Sequence, residues 1–300
     1  MNTKLVKLFI TFLLINISFF TIALPKQKTI GEWNNELLIR SERTTDLPND
    51  REDLERTQIT LWMELTAPIN KNFSFGVSVR GNKSSDDPAN NLINLDNSES
   101  NTFELDQSFL DWNMSDTGFL RMGKQYLPTK LSTMVWDKDL SVSGGVFSNR
   151  WFDDSDNEYD FAFGSGKINH LFNDEVKISF LNFHYTTPIA SSFFTVGGSA
   201  IKLTETDTLI NGEFNLRRTN NDAALLEEFE VAILDLNFTF DLFDQAIEFG
   251  IEAGQNFALE ENNQMTRVNL IIGDNQIKKG WQMNVHFQDI EQDAVVAAFN

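Results

Sequence analysis

Read in steps of two, the chain separates into apolar and polar walls over much of its length. In 55–65, Ile59, Leu61, Met63 and Leu65 fall on one side, and Gln58, Thr60 and Glu64 on the other. After a turn at 67–71, Phe73, Phe75, Val77 and Val79 oppose Ser74, Gly76, Ser78 and Arg80. The grammar returns over 246–257, where Ile247, Phe249 and Ile251 oppose Glu248, Gly250 and Glu252. It returns again at 281–288, with Trp281, Met283, Val285 and Phe287 against Gln282, Asn284, His286 and Gln288. Successive side chains of a strand point to opposite faces, so each segment predicts a strand with one apolar and one hydrophilic wall. At about nine to eleven residues, such strands are long enough to cross a bilayer at the usual tilt.

The stretch FELDQSFLDWNMSDTGFLRMGKQY (103–126) reads as a hairpin with one flaw. If Trp112 pairs with Phe119, then Phe109 faces Met122 and Leu105 faces Tyr126 on the apolar wall. Asp106 then faces Gln125, and Ser108 faces Gly123, on the polar wall with Arg121. The remaining pair, Gln107 opposite Lys124, lands on the apolar wall. A charge at mid-bilayer costs about 2–4 kcal/mol. Three arrangements relieve it: a bulge that shifts register and turns Lys124 inward, a rim position from which Lys124 snorkels, or contact with a neighbouring subunit.

Connections alternate in length. Short ones are read at 67–71, 113–118, 171–175, 241–245 and 274–280, and long polar ones at 82–102 and 186–227. A transmembrane barrel puts short turns in the periplasm and long loops outside. A soluble β-sandwich alternates as well, but has no need of this asymmetry. Closure also removes sheet edges, which lipid would leave unsatisfied. The expected fold class is therefore all-β, a transmembrane antiparallel β-barrel of the outer-membrane porin type with about 12–14 strands. Strand directions counted forward from 113–118 and backward from 274–280 disagree by one strand near 140–160. A strand is either missing around 140–145 or misread there.

The N-terminus changes the setting. Lys4 and Lys7 precede an apolar run over 8–20, and Thr21, Ile22 and Ala23 close it with a cleavage-site pattern. This predicts a signal peptide over residues 1–23 and a barrel over 24–300; an uncleaved anchor is the weaker alternative. The chain has no cysteine, so disulfides and thiolate metal sites are excluded. With 44 acidic against 24 basic residues and a formal charge of −20, it lacks the basic face that nucleic acid needs.

Three blocks carry a resemblance. LDQSFLDW (105–112), GFLRMGKQYLP (118–128) and VWDKDL (135–140) follow one another as in a family of bacterial outer-membrane β-barrel porins. RTQITLWMELTAPINKNFSFGVSVRGN (56–82) is similar to that family's first hairpin, and KKGWQMNVHFQDIEQDAVVAAFN (278–300) to a late segment ending in DAVV. The likeness is weak across 141–230. It implies a barrel of about sixteen strands, passage of small solutes, and a sequence shortened at its C-terminal end. Homotrimerisation is plausible by analogy with general porins.

A porin makes no bonds, so its working parts are lumen width, lumen charge and loop position. The polar walls assign Arg80, Glu104, Asp106, Arg121, Asp235, Glu248, Glu252, Arg267, Asn284 and His286 to the interior, as opposed acid and base rings or as a solvated wall. Trp136, Asp137, Lys138 and Asp139 form a loop that either folds inward as a constriction or packs on the rim. The acidic balance suggests a cation bias by field effect. The expected partners are outer-membrane lipid, lipopolysaccharide and small solutes or ions, with divalent ions bridging acidic loops to lipid phosphates as one option.

No catalytic, cofactor or metal residue is assigned. His170, His184 and His286 have no nucleophile context. The run 153–157 resembles a calcium-loop fragment without its downstream glutamate and reads better as a solvated acidic loop. A barrel enzyme and a non-conducting structural or adhesive barrel remain the competing classes.

Overall fold

The computed structural model describes residues 31–44, 54–85, 101–138, 140–169, 175–206, 228–243, 245–274, 280–291 and 293–296. The expected signal peptide lies outside them, as do Asp139 and most of the 82–102 loop. Among the described residues, thirteen strands form one antiparallel sheet in sequence order. They are β1 (Glu32–Thr44), β2 (Leu54–Pro68), β3 (Phe73–Ser84), β4 (Phe103–Asn113), β5 (Gly118–Tyr126), β6 (Ser141–Phe152) and β7 (Glu158–Asn169). β8 (Lys177–Ile189), β9 (Ser192–Thr204), β10 (Glu228–Leu242), β11 (Gln245–Asn256), β12 (Gln264–Gly273) and β13 (Gln282–Ile290) follow. This is an outer-membrane-type β-barrel sheet, and its thirteen strands fall within the expected range. Among the described residues, β1 and β13 each have a single neighbour, so the sheet is open between them.

Every pairing joins neighbours in sequence, so odd and even connections fall at opposite ends. At one end lie 69–72, 114–117, 153–157, 190–191, 243–244 and 274–281. At the other lie 45–53, 85–102, 127–140, 170–176, 205–227 and 257–263, the longer set. This resolves the one-strand disagreement. The turn expected at 171–175 belongs to the long end, and 153–157 is the short turn that joins β6 to β7. The region 186–227, expected as one loop, instead contains the end of β8, a two-residue turn at 190–191 and all of β9. Ala190 takes positive φ (56°) in that turn, the conformation a two-residue hairpin demands.

The two walls of the sheet differ in kind. On the outer face, rows of large apolar side chains cross the strands in register. Phe161 faces Phe183, and Phe163 faces Leu181; Leu236 faces Ile251, and Phe238 faces Phe249. Many of these are exposed although large and apolar, including Leu234 at 72% and Phe287 at 75%. In water such a continuous surface is unfavourable at about 25 cal/mol per Å², but lipid accepts it.

Across β6 to β12 the inner face is polar near the short turns and apolar near the long connections. There Val142, Ile168, Ile178, Phe180, Ile201, Leu203, Phe229, Val231 and Met265 join one buried cluster with Met134, Val135, Trp136 and Leu140. Ala294, Val295 and Val296, beyond β13, complete it. One cluster drawing on strands from β6 to β12 requires the sheet to curl, as sheets of more than about ten strands do.

The flaw in 103–126 is a β-bulge. β3 and β4 slip register between Ser78 and Val79, so that Ser78 faces Gln107 and Val79 faces Leu105, with Asp106 extra. Asp106 and Gln107 are therefore both buried on the inner face. Beyond the bulge the parity inverts, and the expected pairing is corrected by one residue. Trp112 faces Leu120, Asp111 faces Arg121, Phe109 faces Gly123 and Ser108 faces Lys124. Phe109 and Asp111 point inward, against expectation, while Ser108 points outward. Lys124 also stays outward, two residues from the long end of β5, where its Nζ donates to the Leu105 carbonyl (2.8 Å). Gly123 holds φ at +134°, and a Cβ there would lie 2.2 Å from the Ser108 carbonyl oxygen.

Gly123→Ala is therefore expected to lower the stability of the folded barrel by about 1–3 kcal/mol, read as an earlier urea midpoint for unfolding from lipid vesicles. A midpoint equal to that of the parent sinks this account of the turn in β5.

Candidate functional site

The inner face carries the residues the sequence singled out. Register puts all ten on one wall: Arg80 opposite Glu104, Arg121 opposite Asp111, and Asp235 opposite Glu252. Glu252 in turn faces Arg267, and Glu248 faces Ile271; His286 faces Asn269, and Asn284 faces Ile271. Asp106 joins them through the bulge.

Acids and bases sit beside one another on this wall. Arg80 Nη2 donates to Glu104 Oε1 (2.8 Å), and its Nε lies 3.6 Å from Asp106 Oδ1. Asp106 also accepts from Ser78 Oγ (3.0 Å) and Tyr126 Oη (2.6 Å). Arg121 holds Asp111 with two bonds, 2.7 and 2.9 Å, and lays its guanidinium 3.7 Å from the centre of the Phe109 ring. Such planar, forked pairing is the arginine mode that lysine cannot copy.

One cross-strand row collects charge over eight strands. Arg150 on β6 faces Asp160 on β7, which faces His184 on β8. His184 faces Gly197 on β9, and Gly197 faces Asp235 on β10. Glu252, Arg267 and Gln288 continue the row on β11, β12 and β13. His184 Nε2 lies 3.2 Å from Asp235 Oδ2 across Gly197. A Cβ on Gly197 would come within 2.0 Å of the imidazole, so only glycine lets the ring reach Asp235. Arg150 pairs with both Glu158 and Asp160, at 3.2 Å each. Asp160, His184 and Arg150 were not foreseen.

The segment 127–140 folds inward and follows this row. Lys130 Nζ lies 3.4 Å from Asp160 Oδ2 and 3.7 Å from Glu158 Oε1 on β7. Ser132 Oγ donates to Glu252 on β11, and Thr133 Oγ1 accepts from Arg267 on β12. A tight turn follows, with Val135 N and Trp136 N both donating to the Ser132 carbonyl at 3.1 Å. Of the expected constriction residues, Trp136 is buried in the inner cluster, Asp137 is half-buried and Lys138 is exposed. The side chains that tie the segment down are Lys130, Ser132 and Thr133, which lie just before the quartet.

A second stretch docks on the same face at the long end. Asn256 Nδ2 donates to the Asp293 carbonyl (2.8 Å), and Asp293 N donates to the Asn262 carbonyl (2.8 Å). Asn263 Nδ2 braces the β11–β12 connection through the carbonyls of Asn256 and Leu259. Asp293 itself is buried, its Oδ1 has no partner among the described residues, and burial pushes its carboxyl above the ordinary range. At 153–157 the acidic run is a hydrogen-bonded turn. Asp153 accepts from Asn157 Nδ2 and Ser155 N (2.8 Å each), and the Asn157 bond leads in holding its carboxyl low. No group of three or more His, Asp or Glu among the described residues is arranged to hold a metal ion.

No family model matches the chain, and no curated protein sequence does. Several solved outer-membrane proteins are similar in structure. OmpF of Salmonella typhi in complex with daunomycin matches at a TM-score of 0.46 and 8% identity, over 89% of this chain and 92% of that one. The outer membrane protein OmpT of Vibrio cholerae, in its trimer form, matches at 0.44 and 10%, over 86% and 89%. The anion-selective porin of Comamonas acidovorans matches at 0.44 and 10%, over 87% and 90%.

The raised carboxyl of Asp293 gives a pH signature with a definite sign. Burial disfavours its charged form only when the segment is docked, so docking strengthens as pH falls through the raised value. The gain is complete below the ordinary carboxylate value of about 4. Asp293→Asn is expected to protect the backbone amides of 293–296 at neutral pH as the parent does in acid. Hydrogen exchange, corrected for intrinsic rates, reads this; a parent with equal protection at both pH values refutes it.

Proposed function

We infer that the chain is a passive diffusion channel of the outer membrane for small hydrophilic solutes or ions, and that it performs no bond chemistry. On this reading it is a member of the bacterial porin family that its LDQSFLDW, GFLRMGKQYLP and VWDKDL blocks resemble. The observation that carries it is the row from Arg150 to Gln288, a charged band on the inner face of a sheet whose outer face is apolar. A wall of charge inside a lipid-facing shell is stable only against water. The segment 127–140, tied along that row, narrows the path at one height.

Cation preference follows from the balance of partners on this wall. Arg40, Arg56, Arg80, Arg121 and Arg150 each have a carboxylate within ion-pair distance. Asp235, Glu248 and Glu252 have no lysine or arginine so placed among the described residues, and they project a negative field. The buried apolar cluster at the long end favours a second reading, a non-conducting structural barrel, because it fills part of the inner face.

Refolded protein in planar bilayers is expected to raise conductance in discrete steps, and under asymmetric salt to favour cations. Asp235→Asn, Glu248→Gln and Glu252→Gln combined are expected to cut the cation-to-anion permeability ratio severalfold while steps persist. Insertion without conductance overturns the channel reading in favour of the structural one.

A further inference from the structure

All the lysines on the described strands lie on the outer face and at one height. Lys83, Lys124, Lys167, Lys177 and Lys202 each stand within two residues of the long-connection end of their strand. Four positions form one unbroken cross-strand row. Lys124 faces Ser143 on β6, Ser143 faces Lys167 on β7, and Lys167 faces Lys177 on β8. At one strand spacing of about 4.8 Å each, the three ammonium stems start within about 14 Å of one another. On β6 to β8 the next row toward mid-sheet is small or polar, with Gly145, Ser165 and Ser179, and on β5 it is Met122. The row after that is Phe147, Phe163 and Leu181, the edge of the apolar band.

This arrangement is costly on its own terms. Like charges directly opposite on a sheet destabilise the pair. Among the described residues, Lys167 has no carboxylate within ion-pair distance. Among the described residues, Lys124 Nζ donates to the Leu105 backbone carbonyl and has no carboxylate within ion-pair distance. By contrast, Lys177 pairs with Glu205, and Lys202 with Glu228 (2.9 Å) and Glu230 (2.8 Å). An anion seated on the row relieves the repulsion and takes charge-assisted bonds from flexible ammonium groups and serine hydroxyls.

We propose that Lys124, Ser143, Lys167 and Lys177 form a docking site for the phosphate groups of a phosphorylated lipid in the outer leaflet. The site rests on the outer-membrane reading above, which puts the long connections outside and this row at headgroup height. The lipid's acyl chains then lie along Phe147, Phe163 and Leu181. No contact with the inner face is involved, so the site is separate from the channel.

The test uses the full-length protein in detergent micelles, titrated with diphosphoryl lipid A and with the same lipid dephosphorylated. Bound lipid is counted by native mass spectrometry. The parent is expected to bind the phosphorylated form at least about tenfold more tightly, equivalent to about 1.4 kcal/mol. Lys124→Gln, Lys167→Gln and Lys177→Gln combined are expected to erase that preference, whereas Lys202→Gln, which lies off the row and opposite Ser179, keeps it. The single Lys167→Gln, at an exposed position, is expected to weaken binding about threefold to tenfold and covers the case of a triple variant that does not fold. Equal binding of both lipids by the parent, or an undiminished preference in Lys167→Gln, overturns the site. Displacement of the lipid by millimolar inorganic phosphate also overturns it, since the row then reads free phosphate. Bilayer conductance separates the two readings: a parent that is silent but discriminates between the lipids sinks the channel alone, and one that conducts without discriminating sinks the site alone.

Discussion

In lipid the backbone has no partner but itself, and that constraint fixes nearly everything else about this sheet. Each N–H and C=O left unpaired in hydrocarbon costs several kcal/mol, so every strand between β1 and β13 is bonded along both edges. Period two then makes register a choice of face: a slip of one residue would carry Asp160 and His184 into lipid and Phe161 and Phe183 inward. Among the described residues the register slips once, at Asp106. It does so where two adjacent polar residues both find inner partners, Ser78 and Tyr126 for Asp106, and Ser78 and Tyr126 N for Gln107. The bulge inverts β4 beyond it, and brings Asp111 and Phe109 inward to meet Arg121 from its two sides.

The two cationic side chains divide the faces between them. Six of the seven arginines on the described strands, Arg40, Arg56, Arg80, Arg121, Arg150 and Arg267, are inward, five of them against carboxylates; Arg43, next to the long end of β1, is outward, as is every lysine on the described strands. Guanidinium is planar, weakly hydrated and permanently charged, so it satisfies a half-buried carboxylate with two bonds. Ammonium on a long flexible stem keeps its hydration by reaching for the interface. Position and residue type agree for every arginine but Arg43, which sits outward at the rim as the lysines do.

How much was legible follows from contrast between the walls. β2, β3, β11 and β13 alternate large apolar against polar residues, and the sequence alone reads them and puts Arg80, Glu248, Glu252 and His286 on the correct wall. β6 to β9 lack that contrast for two physical reasons. SVSGGVFSN is rich in glycine and serine, so neither wall announces itself. KISFLNFHY has Ile178 and Phe180 inward under the folded segment, and Leu181 and Phe183 outward to lipid, so both walls are apolar. A short acidic turn at 153–157 and a two-residue turn at 190–191 then passed as loops. The direction of the 127–140 segment was not legible, because its ties lie on β7, β11 and β12, more than a hundred residues away for Ser132 and Thr133.

That segment also explains why the inner wall changes character along its length. A curled sheet of thirteen strands has more inner surface than its own side chains fill, and surface open to water must be polar. Where Met134, Val135 and Trp136 cover it, with Ala294, Val295 and Val296 beside them, water is displaced and the inward positions become Val, Ile, Leu and Phe. Where the cover ends, at the row from Arg150 through His184 to Arg267, polarity resumes at once. The charges stand at this boundary because it is the deepest level that keeps access to water while the cover presses on it from the other side. Lys130, Ser132 and Thr133 are the polar fringe of the cover, and they meet the polar fringe of the wall. The charged level of the inner face across β6 to β13 is thus one consequence of where a single connecting segment stops being apolar.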